Sequence, residues 1–319
     1  QTRFSLSNQT APNRMEFAPE DEGRSLSPEC PTLLLPGLSI GNVGQLAVDL
    51  LIASTRAKRV GWLDAPSVLP CVGNDAYGPV AEGDLALPLE AYESPLHAIS
   101  LIQQRSPVIK TLTPQEPSAV LLQHALIMYT HVQGMMVTFA KKFANFLVRS
   151  GKQHVIVLSS LDSGRRKNID ASSGMQIYYI SSVSDDGTDT DCENLGFEKL
   201  AEYNPSQRRW KYLTSLTEGA TPQEDVISDE DELLEDDYYP GLPFAALFSC
   251  CKAKGLRVTC LLCYCSEGDN ITDSFQLAAA ACKLLGLNPD KFRGNEEGGW
   301  ITPLSWTTVY GPPPDMSLF

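Results

Sequence analysis

The amino-acid sequence predicts an α/β fold: a mostly parallel sheet flanked by helices on both faces. Three observations support this prediction. Residues 33–52 join an apolar strand, a glycine loop and an apolar helix, residues 135–158 join a helix to an apolar strand, and residues 244–285 give helix, strand and helix. Such alternation is typical of parallel sheets, because each strand needs a crossover before the next can run in the same direction. We therefore expect a single α/β domain over residues 31–311.

The first unit, residues 33–52, reads LLLPGLSIGNVGQLAVDLLI. Its leucine triplet predicts a strand buried on both faces, and the helix after the glycines is expected to turn Asp49 toward solvent. A dinucleotide-binding loop is one interpretation, with Asp64 where a ribose-binding carboxylate would be sought. The glycine spacing, however, is G-x3-G-x2-G instead of G-x-G-x-x-G. This favours a loop that needs small residues for packing.

The other elements follow from apolar patterns and from the glycines that end them. The predicted strands are residues 60–64, 85–89, 96–102, 107–112, 155–158 and 256–265. The predicted helices are residues 135–149, ended by Gly151, residues 244–254, ended by Gly255, and residues 271–285. Residues 119–131 fit a strand or a helix equally well.

Two polar stretches are predicted to lie outside the ordered core. Residues 1–30 lack apolar periodicity and are expected to form a disordered extension. Residues 183–239 are expected to be a long acidic insertion, largely disordered, with a short helix around residues 194–203. Within it, residues 218–237 carry ten acidic and no basic residues. Ser228 precedes three acidic residues there and suits an acidophilic kinase.

The composition limits the classes of partner. The net charge is −14, but without residues 218–237 it would be −4, so the acidity is local and argues against nucleic-acid or anionic-membrane binding. No apolar run approaches the ~18 residues that a membrane-spanning helix needs. Nine cysteines without framework spacing are typical of reduced intracellular thiols. We expect a cytoplasmic protein.

Candidate chemical groups are few. Cys260 and Cys263 form a C-x-x-C, but a strand directs residues three apart to opposite faces, and no second pair accompanies them, so no metal is predicted. The four histidines lack a patterned partner, and no G-x-S-x-G is present. Polar clusters around Ser159 and Ser266 follow predicted strands, where an open α/β sheet places its ligand crevice. A phosphorylase- or nucleosidase-like enzyme is therefore the alternative, although such residues also cap helices. No cofactor is predicted.

The last residues are predicted to form a flexible tail, residues 312–319. Three prolines favour an extended spacer with a rise of ~3.1 Å per residue. The spacer would carry the apolar side chains of Met316, Leu318 and Phe319 away from the body. Such a tip suits insertion into a partner's pocket.

Five segments in this order resemble the proteasome assembly chaperone family. They are PGLSIGNVGQLAVDLLI at residues 36–52, PCVGN followed by Tyr77 at residues 70–77, VIVLSS at residues 155–160, SEGDN at residues 266–270, and the segment from Pro303 to Phe319 with Ser305, Trp306, Tyr310 and Gly311. The resemblance covers residues 31–319, with a divergent middle. It implies a non-catalytic protein with a fold similar to that of purine nucleoside phosphorylases.

The resemblance also implies partners. It implies a heterodimer with proteasome assembly chaperone 1, contact with proteasome α-subunits, and a cytoplasmic and nuclear location. In the family, C-terminal tails insert between α-ring subunits through a hydrophobic–tyrosine–any motif. This chain has Leu318 where that motif has tyrosine.

Overall fold

The computed structural model describes residues 14–77, 85–108, 128–166, 176–218, 238–292 and 299–308. Within these ranges the strands are β1 (Glu16–Pro19), β2 (Thr32–Pro36), β3 (Lys58–Asp64), β4 (Gly73–Asn74), β5 (Leu85–Ala86), β6 (Leu89–Ser94), β7 (Ile99–Gln104), β8 (His154–Asp162), β9 (Ile177–Ser181), β10 (Glu198–Lys199) and β11 (Arg257–Cys265). The helices are α1 (Val43–Ser54), α2 (Met128–Arg149), α3 (Thr190–Asn194), α4 (Arg208–Glu218), α5 (Tyr238–Gly241), α6 (Pro243–Ala253) and α7 (Ile271–Leu285). The predicted α/β class is confirmed.

Nine strands form one sheet in the order β1-β3-β6-β7-β2-β8-β11-β9-β10, and β4 pairs with β5 in a separate hairpin. The four central strands, β7-β2-β8-β11, are parallel to one another. On one side, β6, β3 and β1 continue the sheet with antiparallel pairing. On the other side β9 is antiparallel to β11, and β10 is parallel to β9. The parallel arrangement that the sequence predicts is therefore found at the centre of the sheet.

Helices cover both faces of the sheet, as predicted. One core lies between the sheet and the helices α2, α4 and α6, and the other lies between the sheet and the helices α1 and α7. The leucines of β2 divide between these cores: Leu33 and Leu35 face the first, and Leu34 faces the second. The expected burial of this strand on both faces is confirmed. No helix among the described residues is long and apolar enough to cross a bilayer.

The prediction that residues 1–30 are disordered is wrong for residues 14–30; residues 1–13 lie outside the described part. Strand β1 pairs with β3, and Met15, Leu26 and Cys30 are buried. The ring of Phe17 packs against Phe146 of α2, with centroids 6.5 Å apart. The apolar side chains of this stretch are few, but each has a distant partner in the core, and that partner is not visible in the local pattern.

The prediction of a largely disordered insertion is wrong for residues 183–218. Trp210 and Leu213 of α4 are buried in the first core, and β10 extends the sheet. The short helix lies at Thr190–Asn194, not at residues 194–203, because the Asp189 side chain accepts a hydrogen bond from the Asp191 N–H (3.1 Å) and caps the helix there. Most of the acidic run, residues 219–237, lies outside the described residues.

Two predicted strand boundaries also differ. Leu96 lies in the turn between β6 and β7, where it is 88 % exposed, and β7 begins at Ile99. Of the predicted strand at residues 107–112, the structure describes only the first two residues, and Val108 makes a single bridge to Val68.

We expect the stability of the sheet to fall in mild acid because of His154 at the start of β8. Its Nε2 lies 3.0 Å from Thr259 Oγ1. Burial, reinforced by the Arg257 charge, lowers the pKa of His154 from 6.5 to about 4, against the opposing effect of Asp189 and Asp191. Below pH 6.5 the unfolded chain binds a proton that the folded chain does not, so the free energy of unfolding should fall by about 2 kcal/mol on going from pH 7 to pH 4.5.

Urea denaturation at the two pH values measures this loss. The His154→Gln variant, which cannot titrate at this position, should lose less stability over the same interval. An equal loss in both proteins would contradict the assignment to His154.

Candidate functional site

The glycine loop between β2 and α1 is bound directly to strand β8. The N–H of Gly37 donates to the Leu158 carbonyl (2.8 Å), and the N–H of Ser160 donates to Ser39 Oγ (3.0 Å). The Ser160 hydroxyl donates to the Ile40 carbonyl (2.6 Å). The loop therefore lies against the carboxyl end of the central strands, where an open α/β sheet would place a ligand.

The glycines of this loop allow close packing. A Cβ on Gly44 would lie 2.2 Å from the Leu158 carbonyl oxygen, and a Cβ on Gly37 would lie 3.2 Å from Ser159. Gly41 has φ +62°, and its Cα is covered by the Asn270 side chain. These positions require glycine for contacts within the chain itself, which agrees with the packing interpretation of the glycine spacing.

The polar clusters after the predicted strands have structural roles. Ser159 and Ser160 lie inside β8 and are buried; the prediction that they follow the strand is wrong, because β8 continues to Asp162. The Asp162 carboxylate accepts from the Gly164 N–H (2.9 Å), and Ser163 Oγ lies 2.6 Å from Ser266 Oγ. In the second cluster, the Asp269 carboxylate accepts from the Ile271 N–H (3.1 Å) at the start of α7. The carboxylates of Asp162 and Asp269 thus satisfy a turn and a helix start, as capping residues do, whereas the buried Ser159 Oγ has no hydrogen-bond partner among the described residues.

Helix α1 also contacts the loop of residues 71–77, through a group of polar side chains around Asp49. Asp49 Oδ1 accepts hydrogen bonds from the Tyr77 hydroxyl, from Gln103 Nε2 (2.5 Å) and from Arg105 Nη2 (3.2 Å). Asp49 is only 7 % exposed, so the prediction that it faces solvent is wrong. The residues next to Asp49 in α1 are mostly apolar, so the sequence pattern of the helix does not indicate that Asp49 has polar partners. Burial, together with the Asp49 carboxylate, raises the pKa of Tyr77 well above its usual range.

Ion pairs extend from this junction across the antiparallel side of the sheet. Arg105 Nε lies 3.1 Å from one Glu90 oxygen, and Arg59 Nη1 lies 3.2 Å from the other. Arg59 Nη2 also lies 3.0 Å from Glu20, just after β1. Glu90 is almost fully buried between two arginines, so its charge is compensated.

The segment that precedes the tail is fixed to the same part of the molecule. Ser54 Oγ accepts from the Ile301 N–H (3.0 Å), and the Ser305 N–H donates to the Ala76 carbonyl (3.1 Å). The Trp306 ring packs edge-on against Phe275 of α7, with centroids 6.1 Å apart. We call residues 299–308 the tail root. The predicted partner-binding residues Met316, Leu318 and Phe319 lie outside the described residues, as does Ser228.

The described parts of the five segments that carry the resemblance lie around α1. The first contributes the glycine loop and α1 itself, and the third and fourth, residues 155–160 and 266–270, contact the loop. The second, residues 70–77, contacts the helix through Tyr77 and contacts the described part of the fifth, residues 303–308, through Ala76 and Ser305. Sequence reasoning placed these segments in order along the chain, but their convergence on one helix is visible only in the fold.

Sequence reasoning also missed a buried lysine. Lys152 Nζ donates to the carbonyls of Ser27 (3.0 Å) and Cys30 (2.8 Å) and to Ser100 Oγ (2.8 Å). It also lies 3.7 Å from a Glu93 oxygen, and both side chains are buried. A single lysine in a turn is usually exposed, so no local signal could have found it.

The cysteines do not form disulfides with one another. All nine are free, and Cys260 and Cys263 face opposite cores. Burial raises the pKa of Cys250 to about 12, which disfavours the thiolate that a metal would need. Among the described residues, no group of three or more histidine, cysteine or acidic side chains is arranged to hold a metal ion.

Comparison with known proteins gives consistent matches. A family model described as the PAC2 family matches residues 33–290. Proteasome assembly chaperone 2 of Nematostella vectensis is 30% identical over 251 residues, 77% of this chain and 85% of that protein. The Danio rerio protein of that name is 28% identical over 283 residues, 88% of this chain and 91% of that protein, and the Homo sapiens one is 25% identical over 297 residues, 90% and 94%.

A solved structure shares the fold. The crystal structure of Pyrococcus furiosus PbaA, an archaeal homolog of proteasome-assembly chaperone, is 16% identical with a TM-score of 0.50, and the match covers 86% of this chain and 87% of that chain. At this identity the likeness concerns the fold alone.

Proposed function

The chain belongs to the PAC2 family, and from this we propose that it is a non-catalytic chaperone for assembly of the proteasome core particle. The observation that carries the proposal is the match of its family segments and of relatives named Proteasome assembly chaperone 2 over most of the chain. In this proposal the chain forms a heterodimer with proteasome assembly chaperone 1 in the cytoplasm and nucleus. The pair promotes correct α-ring formation and prevents off-pathway association by covering exposed surfaces of α-subunits until the right neighbour binds.

The geometry around α1 supports a binding role for this protein in preference to a catalytic one. Ser39, Ser160 and Asn270 lie at the carboxyl end of the central strands, where an open α/β sheet would place a ligand, and they are in contact with the chain's own loop. The likeness to purine nucleoside phosphorylases stays a prediction about the fold. The arrangement provides an ordered domain to which the tail root is hydrogen-bonded, so that the tail starts from a defined place on its surface.

The tail is the proposed contact with the α-subunits. In this proposal Met316, Leu318 and Phe319 insert into a pocket of the α-ring, and the fixed tail root limits where they can reach. A tail that begins on an ordered surface loses less conformational freedom on binding than one that begins on a disordered segment.

The tail proposal predicts a loss of binding when its apolar tip is removed. In the full chain, purified with proteasome assembly chaperone 1, the double substitution Leu318→Ala and Phe319→Ala should weaken binding to purified α-subunits about tenfold or more, because two buried apolar anchors are lost. Surface plasmon resonance with the α-subunits immobilised measures the affinity. Ser317→Ala is the matched control and should bind like the unchanged protein. Failure of the unchanged complex to bind any α-subunit would overturn the proposed function itself.

A further inference from the structure

A cavity of about 490 Å³ lies between helices α4 and α6 and opens to solvent. Its inner wall is aromatic: Tyr203 packs edge-on against Trp210 (4.9 Å between centroids) and against Phe248 (5.5 Å). These three side chains are at most 7 % exposed, so they close the cavity on the side of the first core. Because this packing also holds the two helices, the cavity exists before any ligand binds, as ligand sites usually do.

Two side chains that line the cavity have hydrogen-bond donors without a partner. Ser249 of α6 is only 8 % exposed, and its hydroxyl makes no hydrogen bond among the described residues. Lys211 of α4 is exposed, and its ammonium group has no acidic partner within the described part of the chain. Hydroxyls that are this deeply buried are normally hydrogen-bonded, so Ser249 indicates an acceptor that is not part of the chain.

The charges around the cavity favour an anion. Lys252 of α6 also lines it and lies 3.4 Å from Asp185, but Asp185 is fully exposed, and exposed ion pairs of this kind contribute little. Together with Lys211, the lining carries two positive charges and one negative charge, although the whole chain has a net charge of −14. Each of the two helices therefore supplies one ammonium group to the cavity, and the negative charge between them is accessible to solvent.

We propose that this cavity binds a small organic anion, a carboxylate or a phosphate attached to an apolar body of one or two rings. The anionic oxygens accept hydrogen bonds from the ammonium groups of Lys211 and Lys252 and from the Ser249 hydroxyl, and the apolar body lies along the lysine stems. The volume suits such a molecule, since ligand cavities measure about 300–1,000 Å³. A patch of another protein fits less well, because the aromatic side chains are nearly fully buried and offer it little contact area.

This inference does not depend on the proposed function. The tail root lies against α1 and α7, which cover the other face of the sheet. Binding of α-subunits and binding of the anion can therefore each fail while the other persists.

Isothermal titration calorimetry of the full chain with 2-naphthylacetate and with 2-naphthyl phosphate tests the proposal. At least one of the two anions should bind with a Kd below about 1 mM, and the tighter one identifies the anionic group. 2-Naphthaleneethanol has the same rings without a charge and should bind at least about fivefold more weakly, because it forms no charge-assisted hydrogen bonds. Equally tight binding of the alcohol overturns the proposal, as does the absence of measurable binding of either anion at about 5 mM.

Substitutions in the lining test whether the anion binds at this cavity. Lys211→Gln with Lys252→Gln should weaken binding of the tighter anion about tenfold or more, because both ammonium groups are lost. Lys283→Gln is the matched control: Lys283 is exposed on α7, on the other face of the sheet, and the affinity should stay within about twofold of the unchanged protein. Equal affinities of the double variant and the control overturn the assignment to this cavity.

A substitution at Ser249 tests the same cavity without changing its charge. Ser249→Leu places a larger side chain in the cavity and should weaken binding at least about fivefold. Thermal unfolding without the anion checks that each variant is folded. A folded Ser249→Leu protein that binds the anion as tightly as the unchanged protein overturns the proposal.

Discussion

Replacing Gly44 with alanine is expected to destabilise the protein by about 3 kcal/mol or more. The new Cβ would lie 2.2 Å from the carbonyl oxygen of Leu158 and 3.3 Å from that of Gly37. Both neighbours are backbone atoms in the sheet and its loop, so no side chain can rotate away. Helix α1 would have to move by about 1 Å, and a close-packed interior resists such a shift. The free energy of unfolding from urea denaturation measures the cost.

Gly73→Ala is the matched control for Gly44→Ala. Its Cβ would meet only Ala86, at 4.0 Å, which is an ordinary contact. We expect its stability to lie within about 0.5 kcal/mol of the unchanged protein. A Gly44→Ala protein as stable as the Gly73→Ala protein would show that α1 does not need this close approach to β8.

Replacing Lys152 with methionine is expected to cost about 3–5 kcal/mol, the range found when one partner of a buried ion pair is removed. The substitution keeps the volume but leaves the two carbonyls that the ammonium binds without this donor. It also leaves Glu93 buried, 3 % exposed, without its nearby positive charge. Burial lowers the pKa of Lys152 and Glu93 opposes this, so the two charges depend on each other. Denaturation in urea at pH 7 measures the loss.

A second substitution tests the cause. If the cost of Lys152→Met comes from an uncompensated carboxylate, adding Glu93→Gln should restore part of the stability, because the amide still accepts the hydrogen bond from the Ser27 N–H (2.7 Å in the unchanged chain). A double variant less stable than Lys152→Met alone would contradict this explanation. So would a single variant that loses less than about 1 kcal/mol.

The elements that were predicted correctly from the sequence are those whose own residues, or the residues next to them, carry the pattern that identifies them. Helix α7 has the predicted bounds, residues 271–285, because its alanine-rich apolar face and the glycine that follows it are local features. Strands β2 and β11 were predicted from continuous apolar runs, which are typical of strands buried on both faces. The packing role of the glycine loop followed from its spacing.

The features that the sequence did not reveal depend on distant partners. Trp210 orders α4 by packing edge-on against Tyr203 (4.9 Å between centroids), which in turn packs against Phe248 (5.5 Å). A pattern search over a polar stretch gives little weight to one tryptophan. For the same reason the sequence does not reveal the buried partners of Asp49 and Lys152, which lie up to 125 residues away.

Both outer strands of the sheet are poor templates for a further strand. Strand β1 has four residues and ends at Pro19, which has no N–H to donate, and β10 has two residues. A dimer that continued one sheet into another would find few free backbone groups at either border. A partner that binds at these borders would therefore be recognised mainly through side chains, so that single surface substitutions there could change the choice of partner without disturbing the sheet beneath.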